Sequence, residues 1–70
     1  MQRDRIERKP GVMGGKPVVK GTRLTVQQIL EECAAGLAAC DIVTNHPFIE
    51  EADVAAALRY AAEQLSAAAE

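Results

Sequence analysis

Lys16, Lys20 and Arg23 lie in a stretch of eleven residues, Gly14 to Leu24, that also holds three glycines and a proline. Gly14, Gly15 and Gly21 let the backbone turn with positive φ. Pro17 fixes one φ and removes a donor. The three cations are therefore expected on a short, stiff ribbon. Cations held in this way can sit on phosphates or in a nucleic-acid groove, as β-ribbon readers do, above all if two copies pair. The same residues also read as a solvated hairpin whose conformation serves packing.

No catalytic constellation accompanies them. A nucleophile needs a base within hydrogen-bond reach, and the base needs an orienting group. The sole histidine, His46, precedes Pro47 at a helix end and reads as a capping or packing residue. Glu50, Glu51 and Asp53 fall at a helix N-terminus, where the dipole favours negative charge. They read as dipole partners, not as an acid pair or a metal site. The Gly-Gly-Lys run lacks the spacing of a phosphate loop. Cys33 and Cys40 have no zinc-ligand spacing, and Cys33 falls on the apolar face of a helix as a small core residue. An enzyme, a cofactor and a bound metal are all excluded on this reading. The sequence shows no signal peptide and no apolar run of membrane length, so a reduced cytoplasmic protein is the simplest expectation.

Charge divides the chain. Residues 1–24 carry seven cations against Asp4 and Glu7, whereas residues 25–70 carry only Arg59 against eight carboxylates. The expected organisation is one small domain over residues 1–70, with a basic β arm over 1–24 and a three-helix body over 25–70. Two surfaces with different partners, or a basic arm that merely balances an acidic body, both fit this split. Seventy residues with two aromatics, Phe48 and Tyr60, make a marginal core. A homodimer or a partner protein is therefore expected. Arg59 and Tyr60 are typical interface types on the third helix; Tyr60 also reads as a half-buried core edge.

The elements that position these residues follow from local pattern. Arg5 to Lys9 alternates around Ile6 as a short strand, Pro10-Gly11 turns, and Pro17 to Lys20 reads as a second strand. Thr22 to Leu24 either continues a strand or pairs with a partner's strand. Thr25 and Gln28 form a capping box, flanked by a Leu24–Ile29 staple. Val26, Ile29, Leu30, Cys33 and Ala34 then make an apolar stripe, with Gln27, Gln28, Glu31 and Glu32 toward water. Gly36 ends this helix. A second helix is expected from about Ala39 to Asn45 and is stopped by Pro47. A third is expected from about Glu51 to Ala67, with Ile49 and Val54 as a staple. Its inner stripe is Val54, Ala57, Leu58, Ala61 and Leu65, and Ser66 to Glu70 are expected to fray. Phe48 counts among the larger core candidates. Three helices joined by a Gly turn and a Pro turn suggest a helix-turn-helix body. Its second helix offers Asp41, Thr44 and Asn45 but no cation, so the ribbon is the better candidate for DNA.

Gly14-Gly15-Lys16-Pro17, Gly21-Thr22-Arg23, Gly36, Pro47 and Ala56 to Ala61, in this order and spacing, resemble the domain of unknown function 433 family over about residues 5–62. The resemblance implies a mostly α fold: a homeodomain-like three-helix bundle behind a short N-terminal β-hairpin arm. Many members are described as VapB-type antitoxins encoded beside a PIN-like ribonuclease toxin. It thus implies neutralisation of a cognate toxin within a type II module, with operator DNA as a further partner, and no catalytic site. Lys16, Lys20 and Arg23 are the expected nucleic-acid contacts. Gly14, Gly15, Pro17, Gly21, Gly36 and Pro47 are the expected turn formers, and Arg59 and Tyr60 the expected partner contacts. A stand-alone dimeric interaction module without nucleic-acid binding is the alternative. Ala38 and Glu50 stand where the family has Ser or Thr helix caps, which is expected to weaken each start by about 1 kcal/mol.

Overall fold

The computed structural model of the chain describes residues 5–69. Sequence leads one to expect fraying over residues 1–5; residues 1–4 and Glu70 lie outside the described residues, whereas Arg5 is held by Asp53 and Glu50. Strand β1 (Ile6–Glu7) pairs antiparallel with β2 (Val18–Val19), with Ile6 opposite Val19 and Glu7 opposite Val18. A 3-10 turn over Met13–Gly15 lies on the connection between them. Helices α1 (Val26–Ala34), α2 (Ala39–Asn45) and α3 (Glu51–Ala69) follow. The fold is thus mostly helical, with three helices behind a short N-terminal hairpin.

The two-residue strands gain their stability from what they cover. Ile6, Val18 and Val19 are buried, and Val19 and Ile6 join one core with Leu24, Val26, Ile29, Ile42, Ile49 and Val54. After β2 the chain folds back on itself. The Val19 amide donates to Leu24 O at 2.9 Å, and Val18 bridges Thr25. Thr22 to Leu24 therefore closes a second hairpin within the same chain and does not extend β2.

Local chemistry sets the helix ends. The Gln28 amide donates to Thr25 Oγ1 at 3.0 Å, the forward half of the expected capping box. The return half is absent: Gln28 Nε2 donates instead to Glu32 Oε2 at 2.9 Å. Leu24 and Ile29 are both buried on the two sides of the cap. At the far end the Gly36 amide reaches Cys33 O and the Leu37 amide reaches Glu32 O, the paired bonds of a Schellman motif. Gly36 has φ +100° there, a conformation that costs a residue with a Cβ. The two helix starts without Ser or Thr use the reverse device. Asp41 Oδ2 accepts from the Ala38 amide at 3.0 Å, and Asp53 Oδ2 accepts from the Glu50 amide at 2.8 Å. Each third-position carboxylate thus satisfies an amide just before its helix, offsetting part of the expected loss.

The largest departures from sequence expectation concern α3 and its approach. Leu58 and Leu65, expected inward, are 43% and 71% exposed. Val54 and Ala57 are buried as expected, and Ala56, which was not expected inward, is fully buried with them. Small side chains let α1 and α2 approach the α3 backbone closely, and that contact turns the leucines away. Phe48, a core candidate, is 61% exposed and stands edge-on to His46 at 5.9 Å. The neighbouring Ile49 takes the buried place. Ala34 is exposed because the last turn of α1 runs past the core. Residues 66–69 continue α3, where fraying was expected; alanine is the best helix former.

Candidate functional site

Two surfaces emerge, and they divide the residues singled out by sequence. The first is the tip of the second hairpin. The Thr22 amide and hydroxyl both donate to Val19 O, at 2.9 and 2.8 Å, and the Leu24 amide donates to Thr22 Oγ1 at 3.1 Å. The Gly21 amide donates to Glu7 Oε2 at 2.9 Å, which ties the tip to β1. Gly21 has φ +79°, so the turn depends on a residue without a Cβ. Lys20 and Arg23 flank this turn and are exposed. Neither takes part in the ion pairs of Arg5, Lys9 and His46 found among the described residues.

Lys16 does not join them. It precedes β2 by two residues, so it stands about 13 Å from Lys20 along extended chain. Gly14 and Gly15 shape the turn before it, and Arg8 Nε donates to Gly15 O at 3.1 Å, which holds that turn against β1. The expected triad of cations is therefore a pair at one end of the ribbon and a single lysine at the other.

Beside the tip, Arg5 bonds to Asp53 Oδ1 at 2.9 Å and to Glu50 Oε1 at 3.4 Å. The bond to Asp53 is the main cause that raises the Arg5 pKa above its ordinary value, against the opposing effect of burial. The acidic start of α3 thus serves first to dock the arm. Lys20, Thr22 and the exposed Phe48 border the same shallow hollow.

The second surface is an open groove of about 350 Å³ between α1 and α3, floored by Val26, Leu30, Tyr60, Ala61 and Leu65 and closed at one end by Pro17. Lys16, Gln27 and Gln64 form its polar rim. Tyr60, expected to meet a partner, lines this groove. Arg59 does not: it borders a different hollow on the outer flank of α3, with Leu58 and Glu63. Adjacent helix positions diverge by about 100°, which separates the two residues.

The chain belongs to the family described as protein of unknown function (DUF433). The match runs over residues 6–61, from β1 through the first half of α3. It takes in the arm, both hairpins and Tyr60, and it stops before Gln64 and Leu65, which close the groove. No curated protein and no solved structure matches the chain.

Sequence reasoning missed Leu30, Leu65 and Pro17 as one apolar surface, and Phe48 as an exposed aromatic. Sequence reasoning also placed Glu32 toward water. Glu32 Oε2 instead lies 2.7 Å from His46 Nε2, with the carboxylate 13% exposed. Bonds from Gln28 and then from His46 lower the Glu32 pKa below its ordinary 4.5, against burial. The folded state therefore holds this proton less tightly than the unfolded chain. Its stabilisation is full above pH 4.5 and is lost as pH falls through the depressed folded value. Chemical denaturation at stepped pH is expected to show stability falling below that point. Glu32→Gln should flatten this part of the curve, and an unchanged acid limb would show that Glu32 is not its source.

Among the described residues no group of three His, Cys, Asp or Glu side chains is placed to hold a metal ion. Cys33 and Cys40 are free thiols. No helix is long and apolar enough to cross a membrane.

Proposed function

We propose that the protein is an antitoxin-like binding module of a type II toxin–antitoxin system, acting in the cytoplasm as a homodimer. The observation that carries this reading is the open apolar groove between α1 and α3. It exposes Tyr60, Leu65 and Pro17 beside a lysine. Apolar grooves of this kind accept an amphipathic helix through spaced anchors. The partner in this reading is a cognate PIN-like ribonuclease. The three helices serve as a homeodomain-like helix-turn-helix body, and operator DNA is met by the hairpin tip. α2 has no cation to offer a phosphate, whereas Lys20 and Arg23 are presented on a stapled turn.

Co-expression with a PIN-like nuclease encoded beside the gene tests the reading. A stoichiometric complex and loss of ribonuclease activity are expected. Tyr60→Ala is expected to weaken the complex by about 2 kcal/mol, roughly thirtyfold in Kd, while leaving the helical spectrum intact. On DNA, Lys20→Ala with Arg23→Ala is expected to flatten the salt dependence by close to two phosphate contacts, about 0.9 in slope for each. Lys16→Ala should change it little. A nuclease that neither binds nor is silenced sinks the antitoxin reading. A complex that forms while the DNA slope ignores the tip leaves a protein-interaction module alone, a reading favoured by the exposed Glu50 beside the tip.

A further inference from the structure

Leu58 and Leu65 are the two large apolar side chains that α3 leaves in water. With Ala55 and Ala62, which are also exposed, they follow one another at spacings of three, four and three. That is the a/d spacing of a coiled-coil seam. It lies on the flank of the helix opposite the buried Ala56, next to the edge of the core at Val54. A shallow hollow of about 510 Å³ runs along this flank from Ala55 to Ser66, with Arg59 and Glu63 along its edge.

We propose that this seam is a self-association surface, and that its occupant is α3 of a second copy packed antiparallel about a two-fold axis near Tyr60. The pattern is complementary to itself. In that arrangement Leu58 of one copy faces Ala62 of the other, and Ala55 faces Leu65. All four layers then pair one large with one small residue, so the helices interdigitate evenly. A parallel pairing places leucine on leucine and alanine on alanine, alternating wide and empty layers. Charge favours the same choice. The antiparallel crossing brings Arg59 of each copy beside Glu63 of the other, a self-matched arrangement that a two-fold axis repeats. The net charge of −2 per chain opposes association only weakly. The seam shares Leu65 with the floor of the groove, whereas Ala55, Leu58 and Ala62 lie outside that groove.

Sedimentation equilibrium of the whole chain at micromolar concentration tests this. The wild type is expected to be a dimer. Ala62→Glu, at an exposed helical position, buries a charge in the proposed seam without a partner and is expected to raise the dimer Kd by roughly a hundredfold or more. The helical circular dichroism should be unchanged. Leu58→Glu provides the same shift from the other side of the same layer. Orientation is read by mixing Leu58→Cys and Ala62→Cys chains, each also carrying Cys33→Ala and Cys40→Ser, and then oxidising them. The mixed disulfide is expected to dominate. A monomeric wild type, a dimer indifferent to both glutamates, or a preference for self-disulfides would each overturn the proposal. None of these readouts depends on whether a nuclease binds the groove.

Discussion

Ile42→Ala is expected to cost about 3–4 kcal/mol, as is Ile29→Ala, and either will leave the chain close to unfolding at 37 °C. Both isoleucines are fully buried and lie in the same core. The cost is the lost transfer energy of three carbons plus that of the cavity left behind. A domain of 70 residues has only about 4–10 kcal/mol in total, so one substitution removes a large share of it. Urea denaturation gives the check: the midpoint should fall sharply with little change in slope. Leu65→Ala is the matched control. It removes an equally large side chain from a site that is 71% exposed, and on the monomer it should stay within about 0.5 kcal/mol. If the two classes of variant were equally destabilising, the packing of α3 described above would be wrong.

Asp53→Ala has the second largest expected effect, because one carboxylate performs two tasks. Its Oδ2 accepts from the Glu50 amide before α3, and its Oδ1 accepts from Arg5 on the arm. The side chain is only 11% exposed, so water replaces these bonds poorly. Loss of the capping bond costs about 1 kcal/mol, and removing a charged acceptor from a part-buried site brings the total to about 2 kcal/mol. For a chain of this length that corresponds to a fall of about 8–16 °C in Tm. The effect should also be local. The Lys20 amide, which donates to Arg5 O at 2.7 Å, is expected to exchange faster once Arg5 is released. Asp53→Asn keeps an acceptor for the Glu50 amide and loses the ion pair, so it should recover most of the stability but not the exchange protection. Equal exchange in all three proteins would show that Arg5 does not dock the arm.

Much of the fold was legible because its signals are short. Thr25, Gly36 and Pro47 each act within one turn of chain, and each marks a helix boundary where the structure has one. Gly21 and Thr22 likewise announce a tight turn, whose bonds between Val19 and Leu24 span six residues. The candidate site was less legible. Three cations in eleven residues read as one ribbon; in the fold Lys16 borders the groove, whereas Lys20 borders the hollow beside the tip. Arg59 and Tyr60 read as one pair, yet a helical step sends them to different surfaces. Glu32 and His46 are fourteen residues apart, and Arg5 and Asp53 forty-eight; neither pairing has a local signal.

The sequence by itself determined where elements start and stop, the basic character of the arm and the family to which the chain belongs. Those properties rest on backbone chemistry and on side chains acting over a few residues. Only the tertiary structure decided how far round α3 the inward face extends: Val54 and Ala57 are buried as their spacing predicts, and Leu58 and Leu65 are not. A helix with this much alanine has a weak gradient of hydrophobicity around its axis. The closest approach of α1 and α2 therefore chose the small residues and left Leu58 and Leu65 outside. That choice created both the groove and the seam, because the energy of close packing outweighed the burial of two leucines.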